Sequence, residues 1–257
     1  MAIEAPRTAP LRTKDLQQQI LDSKPGSVIH LPAGTLRGTL VINKSITLRG
    51  AGADQTILDG NGRGPVIAVD APGAEVQIEE LAIVGGRAGA GGAISVDNGA
   101  KVTVVGCLLQ RNLARTGRGG AIAVDHGSVS VRECTLLDNR AQLGGAIFVG
   151  GSAKVEISAT IIADNVGVRG GAIAAIEGAD LEVWTCRLER NHAEIEGHHL
   201  YAYGTLARTP RVALSNTLLG AVDAGGLAIA NHRSLKATLV LEDTSVARDF
   251  LPSVLIG

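Results

Sequence analysis

The tetrapeptide Gly-Gly-Ala-Ile occurs four times, beginning at Gly91, Gly119, Gly144 and Gly170, at spacings of 28, 25 and 26 residues. Each copy is followed by an Asn with an aliphatic residue three positions before it: Leu109 and Asn112, Leu136 and Asn139, Ile162 and Asn165, Leu188 and Asn191. Two marks recurring in phase define a repeat too short for a domain, one that can bury an apolar face only by stacking on its neighbours. Weaker copies extend the array upstream, where Gly64-Pro65-Val66-Ile67 aligns with the glycine pair. Downstream it continues through Gly197-His198-His199-Leu200 and Ala224-Gly225-Gly226-Leu227.

Inside each repeat the apolar residues alternate, as in Ile94 and Val96, then Val102 and Val104, a period of two that specifies strands. The runs are short and bounded by Gly, Asn or Asp, so no crossover helix fits between them. The expected fold is therefore all-β: a single-domain solenoid of roughly eight coils, with three short strands per coil, each pairing in parallel with its equivalent in the next coil. Asp15-Leu16-Gln17-Gln18-Gln19-Ile20-Leu21 places Leu16 and Ile20 one helical turn apart, which suits a helix capping the open end of the stack. The expected organisation is an N-terminal tail and capping helix over 1–25, the β-helix over 26–243, and a C-terminal tail or cap over 244–257.

Composition narrows the function classes. Aromatic residues make up 2% of the chain against 45% hydrophobic residues, so the core must be aliphatic. A formal net charge of -1 gives no electrostatic footprint for nucleic acid. No apolar run reaches a membrane-spanning length of about 18 residues. The N-terminus shows no basic segment followed by an apolar one, so a cytoplasmic location is expected unless a leader has been removed. Cys107, Cys134 and Cys186 are an odd number in a long chain, unlike a disulfide framework; they fall in phase with Thr160 and form a row of small packed side chains.

The run Ile46-Thr47-Leu48-Arg49-Gly50-Ala51-Gly52 followed by Thr56-Ile57-Leu58-Asp59-Gly60 resembles the first coils of the pectin-lyase-like superfamily of right-handed parallel β-helices. The paired Gly-Gly-Ala-Ile and aliphatic-x-x-Asn marks are similar to the repeats of polymorphic outer-membrane adhesins. Both resemblances imply the coil; neither fixes an activity.

Stacking turns equivalent positions into rows. Asn112, Asn139, Asn165 and Asn191 should form a structural ladder, since Asn tolerates left-handed backbone angles and can bond both its own turn and the next Asn. Asp70, Asp97 and Asp125 each follow an inward Val and should stack as outward carboxylates about 5 Å apart. They read either as turn residues or as calcium ligands. Resemblance to pectate lyases implies that such acidic clusters bind calcium and substrate while an Arg or Lys abstracts the proton, which would make Asp97, Asp125 and Arg118 the catalytic candidates. No cofactor other than calcium is expected. In the His-rich stretch, His192, Glu196 and His199 are the members that a loop could bring together. His198 and His199 leave a strand on opposite faces.

By the same alternation, Ala121, Ala123, Ala146, Phe148, Ala172 and Ala174 should point outward and form a flat floor, with His199, Tyr201 and Tyr203 as its rim. Flat apolar surface marks an interface. The expected function is thus a non-catalytic binding or assembly module presenting this face to a protein partner or to itself. The alternative is a polysaccharide lyase or hydrolase acting on an acidic glycan along the groove.

Overall fold

A computed structural model of the chain describes residues 13–204, 208–221, 228–231 and 238–246. The chain winds into a right-handed parallel solenoid of three long sheets. Sheet A runs from Ser27–His30 to Thr238–Glu242 and holds nine strands. Sheet B, from Gly34–Arg37 to Ser245–Val246, also holds nine; sheet C, from Leu40–Ile42 to Ile229–Asn231, holds eight. Every strand pairing within these three sheets is parallel and in register, for example Val102 on Val129 and Leu109 on Leu136. The inward rows are Val, Ile and Leu and are fully buried, including Val104, Leu109, Ile122, Val131 and Ile147.

A fourth sheet, which the repeat did not announce, occupies the middle of the rod. Sheet D comprises Leu113–Arg118, Arg140–Leu143, Val166–Arg169 and His192–Glu196, the segments between each ladder Asn and the following glycine pair or, after Asn191, Gly197-His198. These coils carry four strands where the first coils carry three. The glycine pair makes the extra strand possible. Gly144 sits at φ +64, and a Cβ there would lie 1.9 Å from the carbonyl oxygen of Ile147, so only Gly can reverse the chain from sheet D into sheet C. Gly145 lies flat against the next coil, where a Cβ would meet the carbonyl oxygen of Gly171 at 2.1 Å.

The asparagine row forms as a continuous ladder of buried amides. The Oδ1 atoms of Asn139, Asn165 and Asn191 each accept from the backbone N–H and side-chain Nδ2 of the preceding coil's Asn, at 3.0 and 3.1 Å for Asn112 on Asn139 and 2.9 and 3.0 Å for Asn139 on Asn165, and Asn112 Oδ1 accepts from the Gly86 N–H at 2.9 Å. Each Nδ2 also donates to a carbonyl of the coil before it, such as Leu109 O from Asn139. The left-handed backbone lies one residue earlier than the sequence suggests, at Arg111, Asp138, Asp164 and Arg190, with φ between 50 and 56. The side-chain amides therefore satisfy corner N–H groups that a sheet cannot reach.

Cys107, Cys134, Thr160, Cys186 and Thr217 share one row for a common reason. Each side chain donates to the carbonyl two residues before it, at the end of its sheet A strand: Val105, Arg132, Trp184, Ser158 and Ser215. A small donor is what the corner requires, and all three thiols are buried and unbridged. Burial pushes the Cys186 thiol up to about 11, which keeps it protonated and unreactive.

The N-terminal helix, α1 (Thr13–Asp22), buries Leu16 and Ile20 against the first coil. Gln17 Oε1 accepts from the Val41 N–H at 2.8 Å while its Nε2 donates to the Val41 carbonyl at 3.1 Å, closing the edge of sheet C. At the other end Ser245–Val246 pairs with Leu218–Leu219 of sheet B, and residues 247–257 of the expected C-terminal tail lie outside the described residues. Among the described residues no helix is long and apolar enough to cross a membrane.

Candidate functional site

The outward row of sheet C runs Val41, Ala68, Ser95, Ala123, Phe148, Ala174, Tyr201 and Ala230. The alternation placed these residues on the outer side correctly, but it did not make them surface. Ala123, Phe148, Ala174 and Tyr201 are buried in a second apolar cluster, roofed by Leu143 and Ala90 from the segments that precede the glycine pairs. Ala121, Ala146 and Ala172 are fully buried in the main core, because the tight reversal turns two successive residues inward. His199 is buried as well. The proposed partner face is thus internal, and of its members only Tyr203 retains substantial exposure.

What remains open is the flank where the rim of sheet D meets the outer side of sheet C. Arg118 lies over the Phe148 ring, 4.8 Å from its centroid, and its Nη1 donates to Asp125 Oδ1 at 3.0 Å. Two coils on in the same row, reached through Leu143, Arg169 lies 6.0 Å from the Tyr201 centroid and its Nε donates to Glu196 Oε1 at 3.0 Å. The side chains of Arg118 and Arg169 remain 44% and 39% exposed, so guanidinium N–H groups not used in these pairs face solvent. Tyr203 stacks beside Tyr201 with the rings at 6° to each other, and burial raises the Tyr201 hydroxyl above its ordinary pKa.

The aspartate row is real but dispersed. Asp70 and Asp97 pair in register, and Asp125 follows the next strand of sheet C. Each is answered by a different protein group. Asn98 Nδ2 donates to Asp70, His126 Nδ1 lies 3.4 Å from Asp97, and Arg118 holds Asp125. Among the described residues, no three His, Cys, Asp or Glu side chains are gathered as a metal would need. The structure thus brings Arg118 and Asp125 together, and places Asp97 one coil away against His126.

The His-rich stretch is built into the wall instead of a site. The His198 Nδ1 accepts from the Ala193 N–H at 3.2 Å. His199 ends the asparagine ladder: its Nε2 donates to the Gly220 carbonyl at 2.9 Å, so its Nδ1 accepts from Asn191 Nδ2 at 3.3 Å. Burial lowers its pKa to about 4, as expected for a ring whose two nitrogens are both committed in the neutral form.

Residues 55–246 match the family model described as a right handed beta helix region. No curated protein matches the sequence. Among solved structures, the pectin methylesterase from Aspergillus niger in deglycosylated form is similar with a TM-score of 0.59 at 15% identity, over 90% of this chain and 81% of that one. An alginate lyase from Paenibacillus sp. str. FPU-7 is similar at 0.59 and 16%, over 91% and 93%. A pectin methylesterase variant in complex with a hexasaccharide is similar at 0.52 and 11%, over 92% and 86%. At these identities the likeness is one of fold.

Proposed function

The chain belongs to the right-handed β-helix family, and from that premise we propose that it binds an acidic polysaccharide along the arginine flank. The observation that carries this reading is the pair Arg118 and Arg169, fixed in one row about 10 Å apart by two steps of ~4.8 Å. A linear glycan repeats along its axis as the rod does, so carboxylates on its units can meet guanidinium groups held at a constant interval. Arg presents a planar fork suited to carboxylate, and the rings beneath both guanidiniums hold them outward. Two of the similar folds are named for work on pectin and alginate, which are acidic polysaccharides. A rigid row also loses little conformational freedom on binding.

The reading is one of binding before turnover, because Asp125 is committed to Arg118 and Asp97 faces His126. Titration calorimetry with polygalacturonate and alginate oligosaccharides tests it. Arg118→Ala with Arg169→Ala should weaken binding about tenfold or more, with an unchanged melting temperature. Equal affinity in the double variant, or no binding of either glycan by the wild type, would remove the proposal. A second reading, glycan cleavage or de-esterification on the same flank, draws its support from the activities for which the similar folds are named. It requires that unsaturated or de-esterified products appear and vanish with Asp125→Asn.

A further inference from the structure

A different face of the rod carries the chain's single tryptophan. On sheet A, Leu181 and Val183 are buried in the core, so Asp180, Glu182 and Trp184 point outward. The row through Trp184 reads Arg132, Ser158, Trp184, Ser215 and Glu242. Neighbouring coils fill this position with small or charged residues, so the fold has no packing need for an indole there. Trp184 is nonetheless only half-buried, and serines on both sides leave its neighbours too short to cover it.

Beside it lies an open cavity of about 220 Å³ lined by Glu182, Trp184, Arg211, Ser215, Val240 and Glu242. That is below the 300–1,000 Å³ typical of sites for larger ligands, and suits one ring at a time. Its polar groups are held in place: Arg211 Nη1 donates to Asp180 at 3.0 Å and to Glu182 at 2.8 Å. Carboxylates outnumber the guanidinium, so the rim disfavours anions.

We infer that this depression is a subsite for a neutral sugar ring, separate from the arginine flank and of opposite electrostatic preference. A pyranose has an apolar C–H face that can lie on the indole, and hydroxyls at its edge that donate to carboxylates. The pre-set Arg211 network and rigid sheet hold these groups without further ordering. The acidic rim turns uronates away and directs them to the flank where Arg118 and Arg169 stand.

Because Trp184 is the sole tryptophan, its emission reports this site alone. Titration of the full chain with cellohexaose and mannohexaose should give a saturable change with at least one, with Kd on the order of 1 mM, and none with a galacturonate hexamer. Glu242→Gln should weaken the response several-fold. In Trp184→Leu, calorimetry should show loss of neutral-sugar binding with the far-UV spectrum retained. Emission that neither neutral hexaose alters up to about 20 mM, or that the uronate alters equally, overturns the assignment whatever the stability of the variants. So does undiminished cellohexaose and mannohexaose binding by folded Trp184→Leu. A failure here leaves the arginine flank standing, since that is read by calorimetry with acidic glycans and by different residues.

Discussion

The first coils and the middle coils build the same ladder row to opposite ends. At Val41 the outward position of sheet C is 53% exposed, while at Phe148 it is fully buried. The two share a sheet, a register and a direction of side chain. They differ in what precedes the strand: two residues separate sheet B from sheet C at Arg37–Leu40, whereas the middle coils insert a sheet D strand and a glycine pair. Outward and exposed are therefore separate properties in a solenoid. The pleat sets the first, and the length of the preceding segment sets the second.

The largest effect expected from this difference is at the reversal itself. Gly145→Val drives a branched side chain into the backbone of the next coil and should cost about 5 kcal/mol or prevent folding. Gly73→Ala, in the simpler region and with open space around its Cβ, should cost only about 1 kcal/mol for its positive φ. Urea denaturation of the two variants measures the gap, and equal losses would mean that the glycine pair is not what shapes the middle coils.

Next comes the row. Phe148→Ala should cost about 3–5 kcal/mol, as for a core aromatic, and Val41→Ala less than about 0.5 kcal/mol, as for surface. Similar small losses at both sites would show that sheet D does not roof the middle of the row.

The smallest effect is a pH dependence at the point where the asparagine ladder stops. His199 has its pKa lowered from 6.5 to about 4, so the fold favours its neutral form. Its contribution to stability is complete above about pH 6.5 and declines as the pH falls toward 4, by at most about 3 kcal/mol. The advantage of wild type over His199→Gln, followed by urea midpoints from pH 7.5 to 4.5, should shrink over that window. A constant difference would place the ring outside the ladder.

The solenoid, the asparagine ladder and the capping helix were legible because each follows from a local rule repeated in phase. The partner face was not. Alternation says which side of its own sheet Ala123 or Phe148 occupies, and nothing about a strand that returns over it. A signal was present in the segments ahead of the glycine pairs, where Ala114, Ala141, Gly167 and Ala193 recur at one position and line up across sheet D. A small residue in phase in every repeat marks a strand packed against something. The arginine flank was half visible: Arg118 and Asp125 could be named from sequence, but Arg169 joins them only through the register of sheet D. Trp184 stood out in the composition, yet its setting depends on Arg211 and Glu242 from the following coils.

The side-chain amide of Gln17 presents Val41 with one acceptor and one donor, in the places where a further coil would present a peptide group. In the language of polymers it is a chain terminator: it satisfies the growing end while offering no new end to add to. A parallel stack in which each rung templates the next has no internal reason to stop, and two such rods meeting rung to rung would join as readily as two coils of one. One glutamine on a ten-residue helix closes the first rung of sheet C.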